Sequence, residues 1–163
     1  MKHNKGFSFV ELLVAVAILG IISLPIASSF ALAAKTDAKA VQLSAMNDAA
    51  DDVILLLEEI ETLGGIPADK QSEYSVKFDY YISDVFSSLL SPEKVYQTQL
   101  SVDESGENMG LEIRYEIQYN GYNATLTISE VAAANCYRID LVFTHSVAGS
   151  PLEVHRKGLL KYA

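Results

Sequence analysis

The chain has 163 residues, 12 Lys plus Arg against 21 Asp plus Glu, and a formal charge of −9. An acidic surface repels phosphate backbones, which excludes a bulk electrostatic nucleic-acid binder. The single cysteine, Cys136, excludes an intramolecular disulfide, and three histidines give poor material for a metal centre.

The chain opens on a short basic leader, Lys2, His3 and Lys5, that ends at Gly6. Phe7-Ser8-Phe9-Val10-Glu11 follows, and from Leu12 to Ala34 there is no charged residue. A helix crosses a bilayer with about 20 apolar residues, so a spanning helix is predicted over residues 7–34. The leader cations keep the N-terminus cytoplasmic by the positive-inside rule. Glu11 stands at the head of the apolar run. A carboxylate costs about 2.5–3.5 kcal/mol at mid-bilayer and less near the interface, so something is expected to offset it. Pro25 removes one helical hydrogen bond, and a kink is expected there. Ser23, Ser28 and Ser29 are placed to re-satisfy the freed backbone groups.

Past Lys35 the helical pattern continues. Ala38, Val41, Ala45, Ala49, Val53, Leu56, Leu57, Ile60 and Leu63 fall at spacings of three and four, one stripe of an amphipathic helix. Asp48, Asp51, Asp52, Glu58, Glu59 and Glu61 lie mostly off it, as a solvated face. Gly64-Gly65 and Pro67 stop the helix. Tyr74 to Leu90 fits either a strand or a short helix, and Ser91-Pro92 ends it. Val95 to Val102 alternates in part, with Tyr96, Thr98, Leu100 and Val102 on one face. Residues 103–108 form a polar turn with only a loose likeness to a calcium loop.

The clearest local signal is a hairpin. Leu111, Ile113, Tyr115, Ile117 and Tyr119 alternate with polar residues, Asn120-Gly121 turns the chain, and Tyr122, Ala124, Leu126 and Ile128 alternate again. Asn-Gly predicts a two-residue type I′ turn, which pairs Tyr119 with Tyr122, Ile117 with Ala124, Tyr115 with Leu126 and Ile113 with Ile128. Apolar then meets apolar in every pair, so one face is a core face. Asn123-Ala124-Thr125 matches a glycosylation sequon by pattern alone. Cys136 opens a third strand carrying Tyr137, Ile139, Leu141 and Phe143, and is expected to be buried as a small hydrophobe. Leu152 to Tyr162 is expected to be a last strand, interrupted near Gly158, with Arg156, Lys157 and Lys161 as solvated charges. About four antiparallel strands with one apolar face need a cover, and the stripe from Val41 to Leu63 supplies it. The expected fold is therefore α+β: a long N-terminal helix, membrane-spanning then amphipathic, packed on a C-terminal antiparallel sheet. Its parts are a leader (1–6), a spanning helix (7–34) and a head (35–163). All but Lys2 and Lys5 of the cations and all but Glu11 of the acids fall from Lys35 onward, so the outer part carries about −10.

The leader ending in Gly6, then Phe7, a mixed tetrad, Glu11 and an apolar helix resembles a type IV prepilin or a type II secretion pseudopilin. The resemblance covers about the first 35 residues. It implies that a prepilin peptidase cuts Gly6–Phe7 and that the Phe7 amine is then methylated. It implies that Glu11 meets the Phe7 amine of a neighbouring subunit, and that an inner-membrane platform and ATPase move the subunit from the membrane into a filament. Many pilins carry a helix-breaking proline at the position that is Ser28 here; this chain has Pro25 instead.

The same stretch also suits a secretory signal peptide cut after Ala31-Leu32-Ala33, or a plain membrane anchor on a binding domain. No catalytic constellation emerges: His145 and His155 flank the Pro151 turn and are expected near each other at most as a weak metal pair. The chain is expected not to be an enzyme and to need no cofactor.

Overall fold

The computed structural model describes residues 8–74, 76–99, 109–131, 134–147 and 149–161. The fold is α+β: one long helix, a short helical segment, and a five-stranded antiparallel sheet. The chain divides into two compact units, Met1–Val41 and Gln42–Ala163.

Helix α1, Phe9–Thr62, is 54 residues long and runs through Pro25 without a break. In the first unit, residues 8–38 are exposed throughout. The serines near the proline do bond backbone carbonyls. Ser23 Oγ donates to Gly20 O at 2.9 Å, Ser28 Oγ to Leu24 O at 2.9 Å, and Ser29 Oγ to Pro25 O at 2.8 Å. None of these is the Ile21 carbonyl, the one that loses its donor at Pro25. They brace the turns beside the proline instead.

In the second unit α1 buries Met46, Ala49, Ala50, Val53, Leu57 and Ile60. The covering stripe therefore begins at Met46 and not at Val41, which is 67% exposed. Of the segment that fitted either a strand or a helix, residues 77–90 resolve as helical. Helix α2 (Lys77–Tyr80) runs into one π-helical turn (Tyr81–Val85), and α3 (Ser87–Leu90) follows. The π turn is closed by Phe86 N–H donating to Tyr81 O, five residues back, at 2.8 Å. Phe78, Ile82, Phe86 and Leu90 recur every fourth residue and are buried, with Tyr81 beside them. Ser91, at φ 42°, ends α3 in the left-handed region ahead of Pro92.

The sheet is a meander in sequence order: β1 (Glu93–Gln99), β2 (Met109–Tyr119), β3 (Tyr122–Val131), β4 (Cys136–Val147) and β5 (Ser150–Lys161). The β2–β3 hairpin has the expected register in all four pairs. Asn120 (φ 50°) and Gly121 (φ 80°) supply the two positive angles that a type I′ turn requires. Its core face joins Ile139, Leu141, Phe143 and Val154 with α1 and the 77–90 segment in one hydrophobic cluster.

Two expectations about the sheet are corrected. Among the described residues there are five strands and not about four, because β1 is a true edge strand whose alternation is broken at Val95. The register shifts between Lys94 and Tyr96, which sets Lys94 opposite Tyr115 and Gln97 opposite Ile113, on the core face. Tyr96 opposes Arg114 and belongs to the outer face. Finally, β5 is continuous through Gly158, which pairs with Ile139. The polar loop 103–108, with Leu100 and Val102, lies outside the described residues.

Both edge strands carry an inward cation, a known safeguard against edge-to-edge pairing. Lys94 on β1 reaches buried Asp79, and Arg156 on β5 reaches Asp51 of α1 at 2.6 Å and the Asn47 side-chain oxygen at 2.9 Å. Arg156 is thus a clamp between sheet and helix rather than a solvated charge.

Candidate assembly site

The apolar half of α1 and its first turn carry the candidate site. An 18-residue window of α1 has a mean hydropathy of 2.5 with none of it buried. By length and composition this helix can cross a membrane.

Glu11 sits in the first turn. Its Oε2 accepts the backbone N–H of Ser8 at 3.2 Å, while Leu12 N–H donates to Ser8 O at 3.1 Å. Ser8 is therefore the N-cap and Glu11 the third helical residue, the half of a capping box in which the acid reaches back to the cap N–H. A helix start leaves four N–H groups without helical partners and carries a partial positive charge. The carboxylate meets both, which would offset part of its cost at the edge of a bilayer. Ser8-Phe9-Val10-Glu11 spells the S-x-x-E signature in the sequence, and it adds Ser8 to the site beside Glu11. Gly6 and Phe7 lie outside the described residues.

The other candidates separate. His145 pairs with Leu152 and His155 with Val142, so the two histidines occupy opposite faces of the sheet and are not neighbours. His145 packs edge-on to the Tyr122 ring, and His155 Nε2 lies 3.4 Å from Glu153 Oε2. Among the described residues no three His, Cys, Asp or Glu side chains gather as a metal site. Cys136 is buried, as expected. Asn123 of the sequon is exposed on β3 beside the turn.

Residues 1–27 match the family model for the prokaryotic N-terminal methylation motif, the prepilin-type signature. With the α+β layout of one long helix and an antiparallel sheet, this is consistent with the type IV pilin and pseudopilin family. No curated protein and no solved structure matches the chain.

Proposed function

We propose that the chain is a structural subunit, a minor pilin or pseudopilin, of a type IV pilus, competence or type II secretion-like filament. The observation that carries this is the prepilin-type signature at the head of an exposed apolar helix, with an acid in the first turn. In this scheme the leader 1–6 is removed at Gly6–Phe7 and the Phe7 amine is methylated. Residues 7–34 hold the subunit in the membrane, and residues 35–163 form a periplasmic or extracellular head. The prepilin peptidase, the assembly platform and its ATPase are the partners in transit, and other pilins are the partners in the filament. The chain itself catalyses nothing.

Glu11 is the assembly residue. In the separate subunit its charge rests on its own helix start. In a helix bundle a neighbour's Phe7 amine supplies a full opposite charge, and removing either member of such a buried pair costs roughly 3–5 kcal/mol. Correct axial register is thereby rewarded. The test is Glu11→Ala in cells that carry the machine. Cleavage is expected to proceed while incorporation into filaments falls severely; normal incorporation overturns the pairing role.

A further inference from the structure

Helix α1 holds two cations, Lys35 and Lys39, and they stand four residues apart. It holds one pair of acids at the same spacing, Asp48 and Asp52. Residues four apart share a helix face, so each pair sets like charges side by side, an arrangement that works against its own helix. Lys35, Asp48 and Asp52 are exposed, and Lys39 is half-buried. Among the described residues no hydrogen bond or ion pair holds the side chain of Lys35, Lys39 or Asp48. Asp52 meets the Tyr119 hydroxyl, which brings no charge. Asp51, by contrast, is already taken by Arg156.

The two pairs match in spacing as well as in sign. Asp48 follows Lys35 by 13 positions, and Asp52 follows Lys39 by the same 13. A second copy of α1, parallel to the first and shifted by 13 residues, about 20 Å along the axis, sets both lysines against both aspartates at once. No other shift of a parallel copy places both lysines on acids, since no other two acids of α1 stand four apart.

We propose that α1 of one copy packs against α1 of another at this shift, with Lys35 on the neighbour's Asp48 and Lys39 on its Asp52. The inference rests on the filament reading, in which parallel helices bundle, and adds a second register contact to it. The Phe7–Glu11 pairing shifts two copies in the same direction by four residues, about 6 Å, so the two contacts fall on different neighbours. Each copy offers its lysines to one neighbour and its aspartates to another. Such a contact is heterologous and, where it does not close into a ring, continues as an open helical array. Facing pairs of opposite charge fix the axial step, because a slipped copy leaves the lysines unpaired.

The experiment uses filaments sheared from cells that carry the machine and express the full chain with Cys136→Ala. Ser28→Cys and Val41→Cys are added to the same chain. Both positions are exposed, and neither takes part in the charge contact. Ser28 lies two turns before Lys35 and Val41 two turns before Asp48, so the 13-residue shift sets them opposite one another. Mild oxidation is expected to give a ladder of disulfide-linked copies, and neither substitution alone should give one. Lys35→Glu with Lys39→Glu should lower the ladder about tenfold, the scale of two reversed charge pairs. Asp48→Lys with Asp52→Lys should do the same. All four together exchange the two ends of the contact and should recover the ladder to within about twofold. Lys35→Glu and Lys39→Glu combined instead with Glu58→Lys and Glu61→Lys restore the net charge off the Asp48–Asp52 stripe, and the ladder should stay low. A chain that is not cut at Gly6–Phe7, or that enters no filament, overturns the filament reading and this inference together. A cut and incorporated chain without a ladder overturns this inference alone. So does an equal ladder from one cysteine substitution, one that ignores the charge reversals, one that the fourfold exchange fails to recover, or one that the off-stripe lysines restore.

Discussion

Lys94 Nζ lies 2.6 Å from Asp79, joining the edge strand β1 to helix α2 across the core face. Asp79 is 1% exposed, and the Tyr115 hydroxyl and the Ser83 hydroxyl also donate to it. The bulge at Val95 makes this contact possible, because in a regular register Lys94 and Tyr96 would share a face. Lys94→Met strands a buried carboxylate. The expected loss is about 2–3 kcal/mol, below the 3–5 kcal/mol typical of a fully buried pair because Lys94 retains contact with water. Asp79→Leu combined with Lys94→Met should recover part of it, as measured by urea denaturation followed by circular dichroism.

Tyr115 contributes to the alkaline limit, beside Tyr74, Tyr81 and Tyr119, whose hydroxyls burial also raises. Burial, and then its hydrogen bond to Asp79, hold the Tyr115 hydroxyl well above the usual tyrosine range. A group whose folded pKa is raised contributes stability that is complete below its unfolded value, near 10.0, and is lost as pH rises beyond it. The head should therefore lose stability above about pH 10, and the part of the tyrosinate absorbance that belongs to Tyr115 should appear only with unfolding. Tyr115→Phe should flatten that loss and cost about 1–3 kcal/mol at neutral pH, since Asp79 loses a donor.

The Arg156–Asp51 clamp works at the other end of the scale. The hydrogen bond from Arg156 holds the Asp51 carboxyl below its ordinary 3.8. Its contribution is present above that value and fades as pH falls through the lowered one. Arg156→Leu should remove this acid-dependent component and leave the alkaline limb of the stability profile unchanged. An unaltered acid limb would show that the clamp contributes nothing.

Gly121 in the hairpin turn is at φ 80°, and Asn120 precedes it at φ 50°. A β-branched residue at either position meets the left-handed penalty of about 1–2 kcal/mol. Gly121→Val should destabilise the head by that amount. Asn120→Gly should be nearly neutral, because glycine adopts the same angle. A thermal melt of each variant checks both.

Much of this fold was legible in the sequence. The hairpin was, because Asn-Gly fixes the turn and strict alternation fixes the register. The long helix was, because past Pro25 nothing interrupts the pattern before Gly64. The 77–90 segment was not settled, since a π turn adds a residue and blurs the helical period. The first strand was obscured for a similar reason: one bulged residue turns Lys94 inward and Tyr96 outward, so hydropathy points the wrong way. The clamp from Arg156 was invisible because it joins residues 105 positions apart. At the N-terminus the acid was conspicuous for its place in an apolar run, whereas its partner Ser8 required the capping signature beside it.

The N-terminal mass of the exported chain tests the assembly-subunit assignment most directly. A mature protein that begins at Phe7 with a methylated amine is the expected result. A chain that begins at Ala34, or one that retains Met1 in cells carrying a prepilin peptidase, would contradict it.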